Sequence, residues 1–207
     1  MFQLRSATGI IAVLTVAVSA LAMLLGLDRA IALAGFIPAR LSGLIPMPGA
    51  LPAWVTPWSS ALLHGGWIHL AVNMVMLAIA GSQVERIIGK AGLLAAYFVG
   101  AGVAAAAQYL VDPGSPVPMV GASGAISALF GIYALFYGQP KEVTKNRRLN
   151  RAIHVAWLLA AWVVIQWMSE MLAGGEGYLL ATPAHIGGFI AGLVLAKPLL
   201  LWRYRKA

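Results

Sequence analysis

Cysteine is absent from all 207 positions of the sequence, and charged residues are scarce. Without cysteine the chain can form neither a disulfide framework nor a thiolate nucleophile. Charged residues make up 10% of the chain, whereas a soluble domain of this length carries about a quarter. This deficit argues against a soluble fold. No polar stretch is long enough to fold separately, so we expect one membrane domain over residues 1–207.

Hydrophobic residues account for 61% of the chain, and the mean hydropathy is +0.86. Because a bilayer core requires about 20 apolar residues per helix, we expect an all-α bundle of six transmembrane helices. The first apolar run is longer than a signal-peptide core of roughly 7–15 residues, which favours a retained helix. The expected spans are 8–27, 61–82, 91–111, 121–138, 152–173 and 183–202.

Residues 28–60 join the first two expected spans and contain five prolines. Proline at this density interrupts any long helix, so an irregular loop is expected. Trp54 and Trp58 lie among apolar neighbours, which predicts that the loop rests at the membrane surface.

Lysine and arginine outnumber acidic residues by 14 to 6, for a net charge of +8. They form short clusters between apolar runs, a pattern typical of membrane topology rather than of nucleic-acid binding. Most of this positive charge lies at one set of span ends, which are expected in the cytoplasm together with both termini. The opposite ends carry only Arg29 and Arg40. The basic residues on the cytoplasmic side are Arg5, Arg86, Lys90, Lys141, Lys145, Arg147, Arg148, Arg151, Arg203, Arg205 and Lys206.

Ionisable side chains within spans are costly and are therefore candidates for function. The chain has four histidines. His154 is expected at a cytoplasmic helix start, where it is solvated. His64 is expected at the outer surface, whereas His69 and His185 fall in the outer halves of spans two and six.

Helical rise places four polar residues at a similar depth. At about 1.5 Å per residue from the cytoplasmic ends, Asn73 and His185 lie roughly 18 Å up, Ser123 roughly 21 Å and His69 roughly 24 Å. The expected polar layer is about 6–12 Å below the outer face of a core about 30 Å thick.

The fourth helix is expected to be short. From Ser123 to Tyr137 it measures about 22 Å, which is too little to cross the core. Residues 113–120, with three prolines, must then enter the membrane as non-helical backbone. Such backbone requires protein or water around it, so we expect a wet pocket at the top of this helix.

These residues could perform nucleophilic catalysis. Ser123 stands at a helix start among small residues, where unpaired backbone N–H groups and the helix dipole would stabilise an oxyanion. His69 and Asn73 share one helix face and are further donor candidates. No acidic residue lies in the layer, so a Ser123–His185 dyad is expected instead of a triad. Close approach of helices four and six is predicted from the small-residue pairs Gly188 with Gly192, Gly124 with Ala128, and Ser127 with Gly131.

Together, three motifs resemble those of the rhomboid family of intramembrane serine proteases, across essentially all of residues 8–202. They are His64-x4-His69-x3-Asn73 on span two, Gly121-Ala-Ser123-Gly on span four, and Ala184-His185-x2-Gly188 on span six. Glu85, Arg86 and Gly89 also resemble the family's motif at the cytoplasmic end of span two.

The resemblance implies a bacterial rhomboid that hydrolyses peptide bonds in or near the transmembrane segments of membrane-protein substrates, through an acyl-enzyme. It implies Ser123 as nucleophile, His185 as general base, and an oxyanion hole of His69, Asn73 and the Ser123 backbone. It also implies a mobile cap over 174–183, helix five as substrate gate, and a site that opens to the extracytoplasmic side of the inner membrane. No cofactor, metal or nucleic-acid partner is expected. Supporting roles are assigned to His64, Gly121, Gly124, Gly188 and Glu85.

Two departures from the family pattern stand out. The first loop lacks the Trp-Arg pair that some bacterial members have. Some members also carry an aromatic residue one turn after the serine, stacked on the histidine, and here that position is Ser127. The tryptophans of span five, at positions 157, 162 and 167, are expected to face lipid or to pack.

Two alternative functions stay open. A metal transporter would use His64, His69 and His185 as ligands, although the layer holds no carboxylate and no HExxH occurs. An inactive relative that binds membrane clients is the second alternative. Such relatives usually lack the serine or the histidine, whereas this chain has both.

Overall fold

The computed structural model describes residues 5–137, 140–172 and 181–205. Over these residues the regular secondary structure is helical, and strand pairing is limited to one isolated bridge between Phe36 and Met119. The helices are α1 Ala7–Leu25, α2 Leu27–Ala34, α3 Pro38–Leu41, α4 Thr56–Ser59, α5 Trp67–Met76, α6 Ser82–Val111, α7 Ser123–Phe136, α8 Arg147–Leu172 and α9 Thr182–Arg203. A π-helical turn, Leu77–Gly81, joins α5 to α6.

Within the described residues, four helical stretches are long and apolar enough to cross a bilayer. They are Ala7–Leu25, Trp67–Val111, Arg147–Met168 and Thr182–Arg203. α7 is also apolar but has 14 residues, and its length of about 21 Å is less than the thickness of the hydrocarbon core. The prediction of a short apolar helix that begins at Ser123 is confirmed.

The stretch Trp67–Val111 is broken at Gly89, where φ is +76° and ψ is 172°. Glycine adopts this backbone conformation without the steric cost that a side chain would bring. Next to the break, the Glu85 carboxylate accepts hydrogen bonds from Ala7 N, Thr8 N and Thr8 Oγ1 at 2.9, 2.9 and 2.6 Å. The break therefore lies beside the N-terminus of α1.

The second expected span is displaced along the chain. The helix begins at Trp67 rather than at residue 61 and continues to Ile88 rather than ending at 82. Residues 60–62 form a 3₁₀ turn, and Gly65 and Gly66 follow before the helix starts. Glycine disfavours helix continuation even within an apolar run, which is why hydropathy alone misplaces this boundary.

The loop 28–60 contains no long helix, as predicted, but it is not wholly irregular, because it holds α3, α4 and most of α2. Phe36 and Met119 exchange two backbone hydrogen bonds, and Gly121 N donates to Ser60 O. Trp58 stacks on Phe98 of α6 at 4.6 Å, whereas Trp54 is exposed. The loop therefore packs against α6 and against the non-helical segment that precedes α7.

α7 and α9 are in backbone contact. A Cβ atom at Gly188 would overlap the Gly124 carbonyl oxygen, and one at Gly192 would overlap the Ala128 carbonyl oxygen. A Cβ at Gly131 would meet the Phe189 carbonyl oxygen in the same way. The predicted close approach of these two helices is confirmed. Most of the expected cap, 174–183, lies outside the described residues.

Candidate active site

The close contact between α7 and α9 brings Ser123 and His185 together. Ser123 is the first residue of α7 and His185 lies in the first turn of α9. Their side chains are buried, at 5% and 1% exposure, and Ser123 Oγ lies 2.9 Å from His185 Nε2. For the hydroxyl to donate, the imidazole must carry its proton on Nδ1. This geometry allows the histidine to remove the serine proton during attack on a carbonyl.

The N-terminus of α7 is free of side-chain caps among the described residues. The first backbone N–H groups of a helix have no partner within the helix and point along its positive dipole end. The Ser123 N–H belongs to this turn, so a developing negative charge beside its own hydroxyl would be stabilised there.

His69 lies against Gly121, two residues before the serine. Gly121 has φ +118°, a conformation that favours glycine. A Cβ at this position would stand 2.9 Å from His69 Nε2 and 3.7 Å from Ser123 Oγ. The missing side chain therefore leaves space between the imidazole and the hydroxyl, where a carbonyl oxygen could lie.

Asn73 lies one helical turn further along α5 and is fully buried. Its Nδ2 donates to His69 O at 2.9 Å, and within the described residues its Oδ1 has no partner. The amide has two N–H donors, so one is engaged by the backbone of its own helix and the second is available to a ligand.

The depth count placed His64 at the outer surface, and in the structure its side chain is completely buried within the protein. Its Nε2 accepts a hydrogen bond from Ala122 N at 3.3 Å, and its Nδ1 is 3.0 Å from Ser19 Oγ of α1. The helical rise does not apply here because the chain before Trp67 is not helical. His64 is thus held between α1 and Ala122, the residue that precedes Ser123.

The hydroxyl of Ser19 determines the tautomer of His64. Ser19 Oγ donates its proton to Leu62 O at 2.8 Å, so it can only accept from His64. His64 therefore carries its proton on Nδ1 and accepts through Nε2. Since both nitrogens are engaged by the protein, His64 is a poor metal ligand, which counts against the transporter alternative. Ser19 was not singled out in the sequence, because a serine in an apolar helix is usually a packing residue.

Trp162 of α8 was expected to pack or to face lipid, and it packs beside the site. Its Nε1 donates to Ser127 Oγ at 2.6 Å, and its ring centroid lies 6.4 Å from that of His185 with an interplanar angle of 72°. Trp157 is exposed, by contrast, and Trp167 is about half exposed.

A small cavity of about 10 Å³ lies next to Ser123. Ser60, Met119, Gly121 and Ala181 are among the residues that line it. This volume is about that of one water-sized site. The non-helical segment before α7 thus borders a water-sized cavity at Ser123, which is where the sequence predicted a wet pocket.

Serine hydrolases use a serine that is hydrogen-bonded to a histidine. Here such a pair is buried within a bundle of apolar helices. Residues 52–202 match the Rhomboid domain, which is more than two thirds of the chain. The chain therefore belongs to the rhomboid family and is an integral membrane protein.

Related proteins extend this assignment. Rhomboid protease GlpG of Pectobacterium atrosepticum is 31% identical over 141 residues, 67% of this chain and 46% of that protein. Rhomboid protease GlpG of Yersinia pestis is 30% identical over 145 residues, 69% of this chain and 46% of that protein. RHOMBOID-like protein 4 of Arabidopsis thaliana is 32% identical over 143 residues, 67% of this chain and 32% of that protein. The chain spans less than half the length of each of these relatives.

Proposed function

We propose that this chain is an intramembrane serine endopeptidase that cleaves membrane-protein substrates through a Ser123–His185 dyad. The observation that carries the proposal is the 2.9 Å hydrogen bond between Ser123 Oγ and His185 Nε2, in a buried layer at the start of α7. The names of the two GlpG relatives, which are rhomboid proteases, support the same activity.

In the acylation step, Ser123 Oγ attacks the carbonyl carbon of the scissile peptide while its proton passes to His185 Nε2. The resulting oxyanion is stabilised by the Ser123 backbone N–H and by side-chain donors from His69 and Asn73. The tetrahedral intermediate then collapses, the C–N bond breaks, and the imidazolium returns the proton to the leaving amine. An ester between substrate and Ser123 remains.

In the deacylation step, water gives a proton to His185 and adds to the ester carbonyl. Collapse of the second tetrahedral intermediate breaks the bond to Ser123, and the serine oxygen recovers its proton from the imidazolium. The cavity beside Ser123 supports this step, since it offers a water-sized space at the reacting atoms.

We further propose six spans within one membrane domain, with 67–88 and 90–111 as separate spans on either side of Gly89. Both termini are then cytoplasmic, and the site opens to the extracytoplasmic side of a bacterial inner membrane. Contacts among the proposed cytoplasmic ends support this arrangement: Lys90 Nζ donates to Arg5 O at 3.1 Å, and Tyr137 Oη donates to Gln83 O at 3.1 Å.

The proposal is tested with the full chain in proteoliposomes that contain a single-span substrate. We expect Ser123→Ala and His185→Ala each to lower the cleavage rate by more than ~1,000-fold, because either change removes the activated nucleophile. Mass spectrometry of the products reports the cut site.

Ser82→Ala and His154→Ala serve as matched controls and should cleave at the normal rate. Both residues lie away from the pair, Ser82 at the start of α6 and His154 near the start of α8. Undiminished cleavage by Ser123→Ala or by His185→Ala would disprove the dyad. Binding of the substrate by the unchanged protein without any cleavage would favour the client-binding alternative.

A further inference from the structure

Of the long apolar helices, α8 has the smallest share of residues buried against the rest of the protein. In its most apolar stretch 11% of the residues are buried, against 33–44% in the other three long apolar stretches. Among the described side chains of α8, only Asn150, Trp162 and Gln166 are buried. A few side chains therefore determine where this helix docks.

Trp162 is the contact through which α8 reaches the nucleophile. Its indole Nε1–H donates to Ser127 Oγ at 2.6 Å, and Ser127 Oγ donates to the backbone oxygen of Ser123 at 2.7 Å. Because the single hydroxyl proton of Ser127 is directed to Ser123, its oxygen must accept from the indole. One continuous hydrogen-bonded chain thus joins α8 to the first turn of α7.

The indole ring of Trp162 also contacts the imidazole ring of His185. It stacks on Phe130 at 4.4 Å and meets His185 edge to face, with centroids 6.4 Å apart. This separation is within the range in which aromatic pairs interact. Within the described residues, His185 Nδ1 has no hydrogen-bond partner. Among the described residues, the ring contact with Trp162 therefore restrains the imidazole in addition to its hydrogen bond to Ser123.

We propose that Trp162 is the positioning residue of the Ser123–His185 pair, and that the pair is aligned only while α8 is docked. The aromatic contact to the histidine comes from α8 instead of from α7, where Ser127 occupies the position one turn after the nucleophile. Outward displacement of α8 would withdraw the indole from Ser127 and from His185 together. This inference rests on the proposed protease function.

Substitutions separate this role from simple packing. Trp162→Phe keeps an aromatic ring and loses the N–H donor, whereas Trp162→Leu keeps apolar volume and loses both. Ser127→Ala removes the acceptor. Trp157→Leu is the matched control, because Trp157 lies on the same helix and is 67% exposed.

The measurement is the second-order rate at which a small fluorophosphonate labels Ser123 in the full chain, together with kcat and KM for a transmembrane substrate. A small probe reports the reactivity of the pair without requiring a whole substrate helix to enter. We expect Trp162→Leu to lower both the labelling rate and kcat by about 10–100-fold, as small misplacements of catalytic groups do. KM should not change, and Trp157→Leu should behave as the unchanged protein does.

A compensating change tests the aromatic contact directly. Ser127→Tyr combined with Trp162→Leu places an aromatic ring on α7, one turn after the nucleophile, and should recover most of the lost labelling rate. A merely structural role would not predict this recovery.

Labelling of Trp162→Leu as fast as that of Trp157→Leu would overturn the inference, and so would a loss of substrate cleavage with normal labelling. If Trp162→Leu fails to fold in a thermal unfolding assay, Trp162→Phe and Ser127→Ala decide: slower labelling in either supports the inference, and normal labelling in both overturns it. If the unchanged protein does not label at Ser123 at all, the proposed function itself fails.

Discussion

At the residue scale, the polar atoms around Ser123 form a small set of directed hydrogen bonds. Ser19 donates to Leu62, His64 donates to Ser19, and Ala122 N donates to His64. A buried polar group without a partner costs about 1–3 kcal/mol, so each of these bonds restrains the position of the next residue. The chain of bonds ends on Ala122, the residue before Ser123, and so links α1 to the candidate site.

Gly121 offers a prediction at the same scale. Gly121→Ala should abolish cleavage, because a Cβ there would stand 2.9 Å from the His69 ring and would fill the space between His69 and Ser123. Backbone strain at φ +118° adds a cost of about 1–3 kcal/mol. The cleavage rate in proteoliposomes and the midpoint of thermal unfolding are the measurements.

Gly26→Ala is the matched control for backbone strain. Gly26 has φ +133°, and an added Cβ would meet nothing within 4 Å. This variant should lose stability to a similar extent and retain cleavage. If both variants were equally inactive, strain rather than the occupied space would explain the loss.

At the scale of the elements, small residues position the Ser123–His185 pair. α7 and α9 approach to backbone contact at Gly124 with Gly188 and at Ala128 with Gly192. In lipid, close packing of this kind is a main source of helix association, because apolar side chains gain little by leaving the acyl chains. The short distance between Ser123 and His185 follows from this contact.

Gly192→Ala tests the dependence on packing. Its new Cβ would overlap the Ala128 carbonyl oxygen, so α9 must move away from α7. Overpacking of this kind costs about 1–3 kcal/mol, and we expect lower thermal stability and slower fluorophosphonate labelling of Ser123. Ile190→Ala on the same helix, where the side chain is half exposed, should change neither measurement. Normal labelling by Gly192→Ala would show that the pair does not depend on this contact.

At the scale of the whole molecule, most of the basic residues lie at one set of ends of the apolar helices. The basic residues are concentrated beside the Gly89 break and the loop after α7, while the loop 28–60 carries two arginines and one aspartate. A side chain of Arg203, at the end of α9, donates to the Arg86 carbonyl oxygen. The positively charged ends of several helices thus lie together, which is what the positive-inside rule requires of a cytoplasmic face.

The orientation is testable because the chain contains no cysteine. Leu44→Cys, in the loop 28–60, should react with a membrane-impermeant maleimide in intact bacterial cells. Lys145→Cys, between α7 and α8, should react only after the cells are permeabilised. The unchanged chain provides a background without thiols, and labelling of both variants from outside would contradict the proposed topology.

Much of the site could be predicted from the sequence because its determinants are local. Hydropathy marks the apolar helices, and small residues mark the α7–α9 contact. Helical rise gives the distance along the helix axis from His69 to Asn73, and from Ser123 to the end of α7. The boundary of α5 and the burial of His64 could not be predicted in this way. Both depend on a non-helical stretch whose path is set by α1 and by the segment before α7.

The sequence by itself determined that this is a helical membrane protein with a serine and a histidine at similar depth, since composition and periodicity are properties of the chain alone. The tertiary structure decided which other residues hold Ser123 and His185 in place. Ser19 and His64 are 45 residues apart, and Ser127 and Trp162 are 35 apart, so no periodicity connects them. Only the contact of α1 with the segment before α5 shows that His64 supports the residue before Ser123. Only the packing of α8 against α7 shows that an aromatic ring from α8 borders His185.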